Sequence, residues 1–157
     1  MILGEAYAYH SEHVANHPEL YLPETLAKLK LGSGIDLGTY AKARLNLDRH
    51  RREASKAFAG VDVLVTPTTP VPAPKNSDLP TAFDAIMAND AVLWHNTRPF
   101  NLSGVPTISI PCGFTKAGLP IGLQLSGPPW QETVVLRLAH AYEQATSWHS
   151  RRPKSAA

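Results

Sequence analysis

The sequence predicts an α/β domain in which part of a mixed β-sheet is flanked by helices. Three observations predict it: amphipathic helical patterns near both ends of the chain, a β-branched run at residues 61–67, and two apolar runs, PTISIP and PIGLQLSG, joined by a turn. Helix, strand, helix, strand pair and helix is the order of a layered α/β fold. A chain of 157 residues is long enough for one domain with a real core.

Three helical patterns occupy the first part of the chain. Residues 2–16 predict a helix that ends at NHP, residues 23–31 predict a weaker one that ends at GSG, and residues 38–59 predict a strongly amphipathic one. Asp36 or Thr39 is expected to cap the third helix at its start. Its expected buried face consists of Tyr40, Ala43, Leu47, Ala54, Ala57 and Phe58.

The remainder alternates strands with helices. Residues 61–67 predict a buried strand, and residues 82–96 predict another helix. In PIGLQLSG, Ile121, Leu123 and Leu125 alternate with Gly122, Gln124 and Ser126, so one face belongs to the core. Gln124 is expected to be buried against another layer and hydrogen-bonded there. A final helix near Trp130 is expected to bury Val135, Leu138, Ala139, Tyr142, Ala145 and Trp148.

Composition and charge argue against several classes of protein. The hydrophobic fraction of 43% and the charged fraction of 18% are typical of a globular protein, and a formal charge of +2 is too small to indicate a nucleic-acid partner. No apolar run approaches the roughly 18–20 residues of a membrane helix, and the start MILGEAYAYH does not resemble a signal peptide. The single cysteine, Cys112, fits a reducing compartment. We therefore expect a cytoplasmic protein without nucleic-acid or membrane partners.

Ser103 and Cys112 are the candidate nucleophiles, and both lie in TRPFNLSGVPTISIPCGF. Ser103 is outside the G-x-S-x-G pattern that holds an attacking serine on a strained turn, so a serine that hydrogen-bonds its own turn is favoured. Cys112 has no histidine nearby in sequence, and a thiol needs a lowered pKa and a base before it attacks. A small buried thiol at a strand end is favoured, and no catalytic residue is assigned.

Three further motifs have a functional and an ordinary interpretation. His10, His13 and His17 are spaced for one helical face, as in some zinc sites, but no carboxylate or thiol set completes a site, so no metal is predicted. The basic run at residues 44–56 is interrupted by acidic residues and lacks aromatic ones, which favours a solvated helix surface over nucleic-acid binding. PTTP is a possible polyproline ligand, but as a loop beside a strand it requires no partner.

The chain resembles the C-terminal portion of the amidase signature family. The motifs are FAGVDVLVTPTTPVPAP, NTRPFNLSGVPTISIPCGF and GLPIGLQLSGPPWQETVVLRLAHAYEQAT, in the family's order, and the upstream helical run extends the resemblance over about residues 5–150. The resemblance implies a segment that completes the central sheet and walls the substrate pocket of an enzyme that hydrolyses carboxamide C–N bonds without a cofactor. The residues expected to be architectural are Pro99, Gly104, Pro106, Gly113 and Gly122.

The family's catalytic set does not occur in these residues. Members use a Ser–cis-Ser–Lys triad from their N-terminal and central parts, and residues 1–157 contain neither a Gly/Ser-rich serine loop nor a segment like the lysine strand. We therefore expect a C-terminal segment of an amidase signature domain that is inactive alone. Its catalytic half would come from a separate chain, or was lost by truncation or a misassigned gene start. The alternative is a non-catalytic remnant or interaction module that self-associates through exposed strand edges.

Trp94 is the one substrate-binding residue that the resemblance suggests. Members that act on glutamine within amidotransferases place an acidic residue seven positions before the motif's Asn, which is Asn101 here, and Trp94 occupies that position. The resemblance thus indicates a chain that differs from the glutamine-binding branch. An aromatic wall suits an apolar or aromatic amide. The other interpretation, that Trp94 is a core residue, stays open, as does the identity of the substrate.

Overall fold

A computed structural model describes residues 1–79, 85, 87–88 and 92–152. The chain divides into two compact units, residues 1–49 and residues 50–157. Within the described residues there are five α-helices and one three-stranded antiparallel sheet. The predicted α/β class is therefore confirmed.

The first unit is helical. It contains α1 (Ile2–Asn16), α2 (Pro23–Gly32) and most of α3 (Leu37–Glu53), so the two helices predicted nearest the N-terminus are confirmed to within a residue. Asp36 caps α3, because its carboxylate accepts the Thr39 hydroxyl at 2.6 Å and the Thr39 backbone N–H at 2.9 Å. Both hydrogen bonds lower the pKa of the Asp36 carboxyl, and the bond from the Thr39 hydroxyl has the larger effect.

The third helix is shorter than its sequence pattern predicts. The prediction of one helix over residues 38–59 is wrong beyond Glu53, where the chain tightens into a 3₁₀-helix at Ala54–Phe58. Over only five residues the 3.0 and 3.6 periods give nearly the same pattern, so the sequence does not separate them. Of the expected buried face, Leu47, Ala54 and Phe58 are buried, Tyr40 and Ala43 are half-buried, and Ala57 is exposed.

The second unit is built on the sheet. Its strands are β1 (Leu64–Pro67), β2 (Thr107–Phe114) and β3 (Pro120–Ser126), in the order β1-β3-β2. The predicted hairpin of β2 and β3 is confirmed, with Ile108 opposite Leu125, and β1 pairs antiparallel with the other side of β3. β1 begins later than the predicted strand. Within the described residues β1 and β2 are the edges of the sheet.

A short helix, α4 (Arg98–Ser103), precedes β2 and lies inside the motif TRPFNLSGVP. Pro99 stands in its first turn, where a missing N–H costs nothing. Gly104 follows at φ 70°, a left-handed conformation that favours a residue without Cβ, and this ends the helix. Beside α4 a small apolar cluster comprises Ala54, Phe58 and Val105, with Leu64 and Phe100 packed against it.

The main core lies between the sheet and the last helix, α5 (Glu132–Ala145). Its buried residues are Ile110, Leu125, Val135 and Ala139, with Val63, Ile108, Leu123 and Tyr142 packed around them. The predicted stripe of α5 is confirmed at Val135 and Ala139, whereas Leu138 and Ala145 are exposed. The buried stripe is narrower than predicted, because among the predicted residues of α5 only Val135, Ala139 and the half-buried Tyr142 pack into the core of the three-stranded sheet.

Two other predictions concern the segment before α4 and the residues after α5. Of the helix predicted at residues 82–96, seven residues lie outside the described residues. Among the others, Ala85, Met87, Ala88, Val92 and Leu93 are helical, in addition to the five helices above, whereas residues 94–96 form a turn. Trp148, predicted on the last helix, instead begins a 3₁₀-helix, and its ring lies 6.1 Å from that of Phe114. Among the helices of the described residues, none is both long enough and apolar enough to span a membrane.

Candidate functional site

The face of the sheet opposite α5 is polar at its centre. Gln124 is only 2% exposed, and its Nε2 donates to the Thr66 hydroxyl and to the Asn96 carbonyl, both at 3.1 Å. Asn96 in turn donates its Nδ2 to the Pro67 carbonyl at 2.9 Å. The prediction that Gln124 is buried and hydrogen-bonded is confirmed, and the amide meets the requirement that a buried donor be paired.

Hydroxyl groups cover the rest of this face. Thr107 donates to Ser126 at 2.9 Å, and Ser126 is 0% exposed. Thr68 and Ser109 share a hydrogen bond across Gly122. A Cβ at Gly122 would lie 2.6 Å from the Thr68 hydroxyl oxygen, so glycine is the residue that lets these hydroxyls meet.

The turn of residues 94–97 lies over this polar face and leads into α4. It carries Trp94, which is 50% exposed in this chain. The guanidinium carbon of Arg98 lies 5.8 Å from the centre of the Trp94 ring, and the Arg98 backbone N–H donates to the Trp94 carbonyl at 2.9 Å. A cation over an aromatic ring contributes about 0.5–1 kcal/mol at an exposed position.

A cavity of about 540 Å³ lies beside α4. Its apolar lining includes Phe58, Leu64, Phe100 and Val105, and its polar lining includes His50, Glu53, His95 and Arg98. The volume falls within the roughly 300–1,000 Å³ of small-molecule pockets. Arg98 belongs both to this lining and to the stack on Trp94, whereas Trp94 does not line the cavity.

Ser103 lines the cavity but is not activated for attack. Its hydroxyl donates to the Phe100 carbonyl at 3.1 Å, which confirms the predicted bond within its own turn. The Cys112 thiol is half-buried at the bulge in β2 and donates to the Ile121 carbonyl at 3.5 Å. Among the described residues neither group hydrogen-bonds a base, which a serine or cysteine nucleophile requires. Within the described residues, the hydroxyl of Ser103 and the thiol of Cys112 are therefore bonded only to backbone carbonyls.

The histidine and arginine motifs have structural partners. His10 Nδ1 lies 3.0 Å from the Tyr21 hydroxyl oxygen, and no cluster of three metal-ligating side chains occurs in the part of the chain that the structure describes. Arg51 Nε donates to the Leu102 carbonyl at 3.3 Å. Arg51 thus satisfies an open carbonyl near the end of α4, where a cation is favourable.

Sequence reasoning did not identify Thr66, Asn96 or Arg98 as members of the site. Thr66 lies directly opposite Gln124 in the register of β1 and β3, so the pairing of these strands is the signal that would have found it. Asn96 carries no local signal, because both of its partners lie on strands distant in sequence. Arg98 belongs to the motif NTRPFN, but the motif alone did not indicate that this residue is part of the site.

Comparisons with known proteins place the chain among amidases. The family model described as Amidase matches residues 11–136. The chain is 43% identical over 136 residues to a glutamyl-tRNA(Gln) amidotransferase subunit of Synechococcus sp. (strain JA-2-3B'a(2-13)), covering 87% of this chain and 26% of that one. It is 34% identical over 156 residues to an amidase of Pseudomonas putida, covering 98% and 33% respectively.

The structural comparison agrees with the sequence comparison. A crystal structure of an amidase superposes with a TM-score of 0.75 at 29% identity, covering 92% of this chain and 33% of that one. The chain therefore spans about a quarter to a third of the length of the relatives that it matches. Overall identity does not separate it from the amidotransferase relative, so the expected difference from the glutamine-binding branch rests on Trp94 and stays a prediction.

Proposed function

Because the chain belongs to the amidase family, we propose that it is the C-terminal segment of an enzyme that hydrolyses carboxamide C–N bonds, and that it completes the central sheet and part of the substrate pocket. One observation carries the proposal. The motif at residues 97–114 forms α4 beside the cavity and then continues directly into the edge strand β2. A single stretch of chain thereby supplies both a pocket lining and a sheet edge.

The exposed edges of the sheet support a role in a larger sheet. Strands with free N–H and C=O groups pair readily with further strands, and β1 and β2 are edges within the described residues. Val65 on β1 is 56% exposed, although it lies opposite the buried Leu125. Additional strands and helices from the same enzyme would cover such a side chain.

The proposed chemistry is acyl transfer, with the reactive serine supplied from outside residues 1–157. Attack on the amide carbonyl breaks the C–N bond, the amine leaves with a proton, and water later releases the acid. This segment contributes binding and positioning. The Trp94 ring and the Arg98 guanidinium suit an apolar or aromatic amide, since the ring offers a flat apolar surface and the guanidinium offers donors to a carbonyl oxygen.

A chimaera tests the proposal. The stretch of the Pseudomonas putida amidase that aligns with 98% of this chain is replaced by residues 1–157. We expect the chimaera to hydrolyse an aryl amide, and we expect both residues 1–157 alone and the truncated amidase alone to show no turnover. A chimaera that folds, as judged by circular dichroism and a monodisperse elution profile, but neither binds nor hydrolyses amides would contradict the proposal. Turnover by the isolated chain that Ser103→Ala or Cys112→Ala abolishes would contradict it equally.

A non-catalytic interaction module is the second candidate, and exposed apolar side chains favour it. Val65, Trp130 and Leu136 are 56%, 88% and 57% exposed. Apolar groups left in water promote association. Light scattering coupled to size exclusion decides whether the isolated chain self-associates, and a monomer that binds little hydrophobic dye would remove this candidate.

A further inference from the structure

We infer that Gln124 and Asn96 form an amide clamp, meaning a pair of side-chain amides that fixes the turn of residues 94–97 and so positions Trp94 and Arg98 for an aromatic carboxamide. The inference rests on the proposed function and deepens it. It assigns two positioning residues to a site whose substrate-contacting residues are Trp94 and Arg98.

The first half of the amide clamp is the Gln124 side chain. An amide NH₂ group has two donors, and at Gln124 they reach the Thr66 hydroxyl on β1 and the Asn96 carbonyl in the turn. Because Gln124 is 2% exposed, water cannot readily reach its amide, and losing either partner would leave a buried donor unpaired. The turn is therefore bonded to the interior of the sheet through its backbone.

The second half runs in the opposite direction, from the turn to the sheet. Asn96 donates its side-chain amide to the Pro67 carbonyl at the end of β1, at 2.9 Å. The ladder continues there, since the Thr68 N–H donates to the Gly122 carbonyl at 2.9 Å. Asn96 is thus held at two atoms by two adjacent strands, which fixes its orientation as well as its position.

Hydrogen bonds within the turn connect Asn96 to the substrate-contacting pair. The Trp94 carbonyl accepts the Arg98 N–H at 2.9 Å and the Thr97 hydroxyl at 3.4 Å. The Arg98 side chain then lies over the Trp94 ring and also lines the cavity. Moving Asn96 would consequently move the indole relative to the cavity.

An aromatic carboxamide matches this pair. Its ring can stack beside the indole, over which the Arg98 guanidinium lies. Its carbonyl oxygen can accept from the guanidinium, which has donors but no acceptor. Benzamide is the simplest ligand with both groups, and it serves as the probe below.

The test uses Trp94 fluorescence in the full chain. The other two tryptophans are changed by Trp130→Phe and Trp148→Phe, so that Trp94 is the only indole. Iodide quenching then reports its accessibility. Because Trp94 is already 50% exposed, release of the turn can raise the quenching constant by up to about twofold.

In this background we expect Gln124→Ala and Asn96→Ala to raise the quenching constant towards that limit. Ser126→Ala is the matched control, because Ser126 is buried on the same face of β3 but bonds Thr107 and not the turn. Unchanged quenching in Asn96→Ala overturns the inference, as does an equal rise in Ser126→Ala. If Gln124→Ala does not fold by circular dichroism, the half-buried Asn96 decides the matter alone.

A benzamide titration separates the amide clamp from the proposed function. We expect benzamide to change Trp94 emission, with an affinity about tenfold weaker in Asn96→Ala than in Ser126→Ala. Equal affinity in the two variants overturns the positioning role. If benzamide has no effect while the iodide result holds, the amide clamp is supported and the proposed substrate contact at Trp94 is overturned.

Discussion

Leu125 and Gln124 are neighbours on β3 and are equally buried, at 2% exposure each, but they face opposite sides of the sheet. Leu125 packs with Ile110 of β2 and with Val135 of α5. Gln124 is held by hydrogen bonds to Thr66 and Asn96. Burial alone does not reveal which chemistry stabilises a position.

The difference teaches what each face contributes. Apolar packing is nondirectional and scales with the area removed from water, so the α5 side mainly supplies stability. Hydrogen bonds have preferred distances and angles, so the opposite side specifies where a particular turn must lie. In this chain the directional face is the one beside the candidate site.

The largest effect is expected on the apolar face. Leu125→Ala should lower the free energy of unfolding by about 2–5 kcal/mol, because the lost side chain leaves a cavity between the sheet and α5. Urea unfolding measures the loss. Val65→Ala is the matched control, since Val65 lies opposite Leu125 but is 56% exposed, and its effect should stay within about 0.5 kcal/mol. Equal losses in the two variants would show that the α5 side is not the main source of stability.

A smaller effect is expected on the polar face. Gly122→Ala should cost about 1–3 kcal/mol, because the new Cβ meets the hydroxyl oxygens of Thr68 and Ser109. The distances would be 2.6 and 2.9 Å, and the Thr68 Cβ at 3.0 Å limits how far that hydroxyl can turn away. Gly34→Ala is the control, because nothing lies within 4 Å of a Cβ there. If the two alanine variants unfold at the same urea concentration, the hydroxyls on this face are not closely packed.

The smallest effect concerns a hydrogen-bonded polar group that is exposed, which contrasts with the buried Gln124. Hydrogen bonds from Thr39 lower the pKa of Asp36 below its usual 3.8. A lowered folded-state pKa contributes stability that is fully present above the unfolded value and is lost as the pH falls through the folded value. Wild-type stability should therefore decline below pH 3.8 by a component that Asp36→Asn lacks. Parallel curves of unfolding free energy against pH for the two proteins would contradict this.

The elements predicted well are those with a local signal. The periodicity of α1 and α5 and the paired apolar runs of β2 and β3 each occupy enough residues to define a repeat. α4 was missed because six residues hold fewer than two helical turns, and its proline and glycine read equally well as a loop. The positive φ of Trp130, at 67°, has no sequence signal, since tryptophan rarely adopts it.

The candidate site was predicted only in part, for the same reason. The alternation in β3 placed Gln124 off the apolar face, so its burial and bonding followed from pattern alone. Its partners did not, because the pairing of β1 with β3 and the position of Asn96 depend on contacts between distant parts of the chain. The local sequence thus predicts the buried Gln124 amide, whereas its acceptors on Thr66 and Asn96 are specified by the tertiary structure.

The order of strands in the sheet also has a consequence for the kinetics of folding. β2 and β3 are joined by a turn of a few residues, which closes in microseconds, whereas residues 68–119 separate β1 from β3 along the chain. The hairpin is expected to form early and β1 to be added late. Amide hydrogens of β1 should accordingly gain protection from exchange after those of the hairpin. The hydrogen bond from Gln124 to Thr66, which helps to fix the turn that carries Trp94, would then form only in the last stage of folding.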